Sequence, residues 1–165
     1  MDLRYGERYE EFRAQVRRFL AEHRRGAPAG LTGGSRPSRI AWLSLLIEHG
    51  YWARTIPVEY GGYGAEPDLL ETVIMDEEFN RAGVHRGFNA QGPSMLVPTL
   101  LEHGTEEQKQ RWIGPTMRGE VMWCQGYSEP GSGSDLASLQ TAAREDGDDF
   151  LINGQKIWKI GRAHV

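Results

Sequence analysis

Near Gly119 the hydrophobic period of this chain changes, and that change constrains its fold more than any other feature. Before Gly119, apolar residues recur at intervals of three and four, as on one face of an α-helix. Beyond it they alternate: Val121 and Trp123, then Leu139, Thr141 and Ala143, then Phe150 and Ile152. Alternation of this kind places side chains on opposite faces of a strand. A helical domain is therefore expected to give way to β structure, an α+β chain in which the two kinds of element are segregated along the sequence.

Within the helical part, Tyr5, Tyr9, Phe12, Val16, Phe19 and Leu20 predict an amphipathic helix from Tyr5 to about Arg24. Gly26 to Pro37 reads as a loop, and Ser38 is expected to cap a second helix ending at Gly50, with Ile40, Leu43, Leu46 and Ile47 on its buried face. Glycines and Pro57 bar Pro57–Gly64 from helix and make it a shaped loop. Pro67 is placed to open a third helix, in which Leu70, Val73 and Ile74 oppose Glu77 and Glu78 and which Gly83 closes. A fourth helix runs from near Pro93 to Gly104, with Leu96, Val97, Leu100 and Leu101 inward. Thr105-Glu106-Glu107-Gln108 is a capping box, a motif that contributes ~1 kcal/mol, and the helix it starts is expected to end before Gly114-Pro115. In the β part, Asp146-Gly147-Asp148-Asp149 and Asn153-Gly154 are turn sequences, and the second favours a two-residue hairpin.

Composition excludes several functions. With 23 acidic and 19 basic residues the net charge is −4, and no run of one sign suggests a nucleic-acid partner or an anionic membrane surface. No apolar run approaches the ~20 residues of a membrane helix, and Met1–Glu7 lacks the apolar stretch of a secretory signal, so a cytoplasmic location is expected. The histidines have no metal-ligand spacing, so no metal is expected. Cys124, inside the apolar run Val121–Cys124, reads as a small buried hydrophobe. The carboxylates on predicted helices, Glu77, Glu78, Glu102, Glu106 and Glu107, read as solvated or paired, and none is assigned a base role.

The segment Gln125-Gly126-Tyr127-Ser128-Glu129-Pro130-Gly131-Ser132-Gly133-Ser134-Asp135 offers many backbone N–H and hydroxyl donors with little bulk, so it is suited to hold something polar. It is neither of the familiar phosphate loops: the dinucleotide fingerprint needs a third glycine where Leu136 stands, and the Gly-Lys-Ser/Thr of a P-loop is absent. Together with Asn153-Gly154-Gln155-Lys156-Ile157-Trp158, it resembles the flavin-binding signature of the acyl-CoA dehydrogenase family, and the resemblance covers nearly the whole chain.

That resemblance implies that residues 1–118 form the family's N-terminal helical domain and residues 119–158 the beginning of its middle β-barrel domain, with the C-terminal helical domain missing. It implies FAD as cofactor, contacted by Gln125, Tyr127, Ser128, Gly133, Ser134 and Trp158, with Ser134 also touching the pantetheine of an acyl-CoA substrate. Glu129, Pro130 and Asp135 are expected to shape the loop, and Gly87–Ser94 to border the acyl-chain pocket. The implied reaction is α,β-dehydrogenation of an acyl thioester to trans-2-enoyl-CoA, with electrons passed to an electron-transfer flavoprotein and the enzyme assembled as a homotetramer. The catalytic carboxylate would lie in the missing domain, so no catalytic residue is expected here. The alternatives are an acyl-CoA oxidase or flavin-dependent monooxygenase of the same superfamily, or a non-catalytic interaction module.

The last seven residues depart from the family pattern. Written as AAG ATC GGA AGA GCA CAC GTC, Lys159–Val165 reproduces from its second base the start of a widely used short-read sequencing adapter whose next codon is TGA. Residues 159–165 are therefore expected to be adapter, and the first base the start of a Thr codon fitting the family's Trp-Thr-Ser. The family's hydroxyl donor to the flavin falls at position 160, where Ile160 cannot donate, so the sequence as written is expected to bind flavin poorly and to be inactive.

Overall fold

The computed structural model describes residues 6–29 and 33–157. Five α-helices come first: α1 (Glu7–His23), α2 (Arg36–Glu48), α3 (Leu69–Ala82), α4 (Val97–His103) and α5 (Glu106–Met117). The strands β1 (Ala142–Asp146) and β2 (Asp149–Asn153) follow as one antiparallel pair. The helical-then-β order expected from the change of period is thus observed. The chain divides into two compact units, Met1–Asn89 with Pro93–Val121, and Ala90–Gly92 with Met122–Val165.

The first unit is built on two apolar clusters. Val16, Phe19 and Leu20 of α1 meet Trp42 and Leu46 of α2 and Ile74, Met75 and Phe79 of α3. Val97 of α4 and Ile113 and Met117 of α5 close around Ala53. Each fully buried side chain of this size contributes about 1.5–3 kcal/mol relative to an exposed one. Beside the first cluster, α1 and α3 are joined through charge. Glu78 on α3 is 3 % exposed and accepts from Arg13 Nη1 at 2.7 Å, from Arg17 Nε and Nη2 at 2.9 Å, and from Arg81 Nη1 at 3.2 Å. Arg17 and Arg13 hold its carboxyl down at about 2. The sequence reading of Glu77 and Glu78 as solvated or paired holds as pairing, since Arg13 also reaches Glu77 at 2.7 Å, but Glu78 is a buried ion. A second arginine-carboxylate group joins Arg54 and Arg8 to Glu71.

Several element ends differ from the sequence expectation. The cap of α2 is Ser35, whose Oγ accepts from Ser38 N at 3.3 Å, because Pro37 is favoured inside the first turn and the helix starts ahead of it. For the same reason of local hydrogen bonding, α3 is opened by Asp68, whose carboxylate accepts from Glu71 N at 3.1 Å, and not by Pro67. The fourth helix does begin at Gly92–Leu96, but as a π turn leading into α4. The Thr105–Gln108 capping box forms in both directions, yet α5 runs through Gly114-Pro115 to Met117. Proline in a helix interior costs ~3 kcal/mol, and buried Ile113, Thr116 and Met117 on both sides of Pro115 offset it. Thr116 Oγ1 also donates to Trp112 O at 2.6 Å. Gly114 admits the loop of residues 58–60, since a Cβ there would lie 3.2 Å from Tyr60 O.

Where the second unit begins, Val121–Trp123 forms no strand, although its side chains alternate between half-buried and exposed as an extended chain requires. Cys124 falls on the exposed side of that alternation, contrary to the expectation of burial, because apolar neighbours in an extended segment do not share a face. Leu139 and Thr141 precede β1, while Ala143, Phe150 and Ile152 lie in the strands as expected. The hairpin turns at Gly147-Asp148, where Gly147 has φ +67°, and not at Asn153-Gly154. Asn153 instead ends β2, paired with Ala142. Two-residue hairpin loops require positive φ, which Asp-Gly-Asp supplies at the register that the strands select.

Candidate functional site

The Gly/Ser loop of the second unit is folded around one carboxylate. Glu129 and Ser132 exchange backbone hydrogen bonds, Glu129 N to Ser132 O at 2.8 Å and Ser132 N to Glu129 O at 3.1 Å, which closes the Pro130-Gly131 turn. The Glu129 side chain, 7 % exposed, accepts from Thr141 N at 2.9 Å, Gln140 N at 2.7 Å and Lys156 Nζ at 2.9 Å. Hydrogen bonding from Thr141, from the Gln140 N–H and from Lys156 holds its carboxyl down at about 2. Charge-assisted bonds of this kind are roughly twice as strong as neutral ones. Lys156 also donates to Tyr127 O at 3.0 Å, and Ile157 N donates to Ser128 O at 2.9 Å, so residues 156–157 lie along the loop's first half. Asp135 finishes it: its backbone carbonyl accepts from Ser132 Oγ at 2.5 Å and Ser138 Oγ at 3.0 Å, and its carboxylate from Ala137 N at 3.2 Å.

This network uses Glu129, Ser132 and Asp135 and leaves the residues singled out by sequence uncommitted. The Ser128 and Ser134 hydroxyls make no hydrogen bond to another described residue, and Tyr127 is 57 % exposed. A Cβ added at Gly131 or Gly133 would meet nothing within 4 Å, so the backbone there is open to an approaching group. Gln125 and Ser128 are half-buried and Gly133 and Ser134 exposed, all on the one loop. Trp158 and Ile160 lie outside the described residues. A framework fixed by buried charge, carrying free hydroxyl and N–H donors beside glycines, fits the donor-hungry edge of a flavin. Sequence reasoning assigned Glu129 its shaping role but missed Lys156, whose only signal was its place in the Gly-Gln-Lys string.

Gly87, Phe88, Asn89, Pro93 and Ser94 take part in a second feature, a cleft of about 430 Å³ within the first unit. Trp52, Phe79 and Phe88 are among its lining residues, with the Trp52 and Phe88 ring centroids 5.9 Å apart. The loop that forms its wall is pinned: Trp42 Nε1 donates to His85 O at 3.2 Å, Arg86 Nη1 to Tyr51 O at 3.1 Å, and Trp52 Nε1 to Met117 O at 2.7 Å. Gly87, at φ +97°, lets the loop lie against the indole, since a Cβ would sit 2.2 Å from Trp52 Cε3. Among the described residues, no three His, Cys, Asp or Glu side chains are grouped to hold a metal, and no helix is long and apolar enough to cross a membrane.

Comparison with known proteins agrees with these features. Residues 6–120 match the acyl-CoA dehydrogenase N-terminal domain and residues 124–165 the acyl-CoA dehydrogenase middle domain. The acyl-CoA dehydrogenase IpdE1 of Mycobacterium tuberculosis is 42 % identical over 157 residues, covering 90 % of this chain and 40 % of that protein. The (2S)-methylsuccinyl-CoA dehydrogenase of Cereibacter sphaeroides is 34 % identical, covering 96 % of this chain and 29 % of its own length. Among solved structures, the ChsE4–ChsE5 complex of M. tuberculosis aligns with a TM-score of 0.61 at 33 % identity, over 96 % of this chain and 40 % of the matched one. The Tcur3481–Tcur3483 steroid acyl-CoA dehydrogenase aligns with a TM-score of 0.59 at 36 % identity, over 95 % and 41 %. The sequence thus spans between 29 % and 41 % of the length of these relatives. By its two matching domains and these relatives, the chain belongs to the acyl-CoA dehydrogenase family.

Proposed function

We propose that residues 1–118 and 119–158 supply the helical domain and the flavin-facing start of the middle domain of an FAD-dependent acyl-CoA dehydrogenase, which converts an acyl thioester to its trans-2-enoyl form. The observation that carries this reading is the Glu129-Lys156 framework, which fixes the loop while leaving Ser128, Ser134 and the Gly131 and Gly133 backbone open. Bound there, FAD supplies the acceptor for the hydride leaving the substrate's β-carbon. Ser128 and neighbouring N–H groups hold the flavin edge where negative charge develops, and Gln125, Tyr127, Gly133 and Trp158 complete the contact. Ser134 orients the substrate through its pantetheine.

The α-proton goes to neither Glu78 nor Glu129. Glu78 is held by arginines and Glu129 by the loop, both well below the ordinary carboxylate range, so each is a poor base near neutral pH. We assign that base to the domain beyond this sequence. The electron acceptor in this reading is an electron-transfer flavoprotein, and the location cytoplasmic. The enzyme is an oligomer of its own chain, although relatives solved as two-protein complexes make a second family member the first partner to co-express.

The test uses the full-length protein containing this sequence. It is expected to purify yellow, to be bleached by an acyl-CoA substrate, and to reduce an artificial acceptor without consuming oxygen. Ser134→Ala is expected to weaken acyl-CoA binding about tenfold, the loss of one or two hydrogen bonds, with FAD content unchanged. Colourless protein would refute the flavin assignment. Oxygen uptake matching turnover would make the enzyme an oxidase, and equal loss of FAD and substrate in the variant would refute the role given to Ser134.

A further inference from the structure

We propose that Asn153 is a site of spontaneous covalent modification: its side-chain amide is lost by ring closure on the Gly154 nitrogen, and the isoaspartate that results loosens the loop built on Glu129. The consequence for the cofactor rests on the flavin reading above, whereas the site itself stands on the second unit alone.

Asparagine is a thermolabile residue, and its lability depends on how freely the next backbone nitrogen reaches its side-chain carbonyl carbon. The chain has three asparagines. Asn80 precedes Arg81 inside α3, where the helix engages the backbone N–H, and Asn89 precedes Ala90, whose Cβ crowds the nitrogen. Asn153 alone precedes a glycine. The fold makes that glycine obligatory. A Cβ at residue 154 would lie 2.7 Å from Thr141 Cα, and Thr141 is held in place because its N–H donates to the Glu129 carboxylate at 2.9 Å. The contact that closes the loop thus also keeps the nitrogen after Asn153 unhindered.

Asn153 is also free to move toward that nitrogen. It is exposed at the end of β2, in the last pair of the ladder, opposite Ala142. Terminal pairs open at the least cost, and Asp146 and Asp149, directly opposite each other at the other end, weaken the hairpin by like-charge repulsion. The Asn153 amide and the Gly154 N–H make no hydrogen bond to another described residue. The chain is next anchored at Lys156, which donates to Glu129 and to Tyr127 O, and at Ile157, which donates to Ser128 O. Gly154 and Gln155 therefore span the gap between ladder and anchor.

In the reaction the Gly154 nitrogen bonds to Asn153 Cγ, the Cγ–Nδ2 bond breaks, and ammonia leaves with the proton that Gly154 gives up. Water then opens the cyclic imide at one of its two carbonyls. One opening gives aspartate, and the other gives isoaspartate, in which the main chain runs through the side-chain carbon. Isoaspartate adds a negative charge and one backbone bond, about 1.5 Å, just ahead of Lys156. That addition exceeds the slack in the 2.9 Å bond from Lys156 to Glu129, and only two residues are available to absorb it. Lys156 and Ile157 are thereby drawn off Glu129 and Ser128, and the loop loses the strand of chain that lies along its first half.

The experiment ages the full-length protein containing this sequence in neutral buffer. Samples are taken over time for peptide mass mapping, for isoaspartate by enzymatic methyl transfer, and for bound FAD by absorbance. The peptide containing residue 153 is expected to gain the mass that replaces NH2 by OH while Asn80 and Asn89 keep their amides, and bound FAD is expected to fall in proportion to the isoaspartate formed. Asn153→Gln, in which the same attack would need a larger ring, is expected to keep its FAD over the same period. Asn153→Asp carries the charge without the added backbone bond and is expected to bind FAD as wild type does when freshly prepared. An intact amide at Asn153, or equal conversion of all three asparagines, would overturn the site. Conversion at Asn153 with bound FAD unchanged would overturn its coupling to the loop. Conversion at Asn153 in a protein that never held FAD would sustain the site and reject the flavin reading instead.

Discussion

Two glycines four residues apart in the same turn region offer a direct test of how the cleft wall is held. Gly83 and Gly87 both have left-handed φ, +67° and +97°, but a Cβ at Gly83 would meet nothing within 4 Å while one at Gly87 would lie 2.2 Å from the Trp52 ring. Alanine at either position incurs the left-handed penalty of about 1–2 kcal/mol, partly offset by the lower entropy of the unfolded chain, roughly 0.4–1 kcal/mol. Only at Gly87 is a steric term added. The indole cannot swing away freely, because its Nε1 is bonded to Met117 O and Phe88 lies against it, so the overpacking cost of about 1–3 kcal/mol applies in full. Gly87→Ala should therefore be less stable than Gly83→Ala by about 1–3 kcal/mol. Urea unfolding followed by helical circular dichroism, with tryptophan fluorescence as a second probe, measures both. In the double variant Gly87→Ala/Trp52→Leu the steric term should vanish, giving a favourable coupling energy between the two sites. Equal midpoints for the two single variants, or a coupling of zero, would refute the account of why the chain turns where it does.

The remaining predictions concern the helical unit. Glu78 has its carboxyl lowered to about 2 from an ordinary 4.5, so its contribution to stability is complete above about pH 4.5 and is lost as pH falls toward 2. Glu78→Gln should lower stability at pH 7 by roughly 3 kcal/mol, because it breaks a buried ion group, and should flatten the acid dependence in urea titrations at pH 3 and 7; an unchanged pH slope would show that Glu78 is not the titrating group. Thr105→Ala removes the hydroxyl that accepts from Gln108 N at 3.3 Å and should cost ~1 kcal/mol in the same assay. No measurable change would mean that α5 is held by its packing alone.

Features whose cause is local were legible in the sequence. The capping box of α5 closes within four residues, with Thr105 N donating to Gln108 Oε1 at 3.0 Å, so its letters suffice to predict it. The helical period of α1 and α3 likewise follows from where apolar side chains must lie, whereas every residue of β2 is exposed. The Gly/Ser loop was recognisable as a place for something polar because its composition leaves donors without bulk. That Glu129 organises it was foreseen only in outline, since its partners Gln140, Thr141 and Lys156 lie 11, 12 and 27 residues on.

Where the sequence reading failed, a distant contact outweighed a local preference. Pro115 should end α5, yet burial of Ile113, Thr116 and Met117 carries the helix past it. Asn153-Gly154 is a better hairpin turn than Gly147-Asp148 by composition, but strand register, a property of the pair, places the turn at Gly147. Cys124 has the hydrophobicity of a core residue and faces outward, because alternation alone does not say which face is inside. The sequence by itself therefore determined the order of helical and β parts and the chemistry of the loop. Only the tertiary structure decided the buried charge of Glu78, the closure of the loop on Glu129 and the existence of the cleft, because each joins residues whose proximity no local spacing encodes.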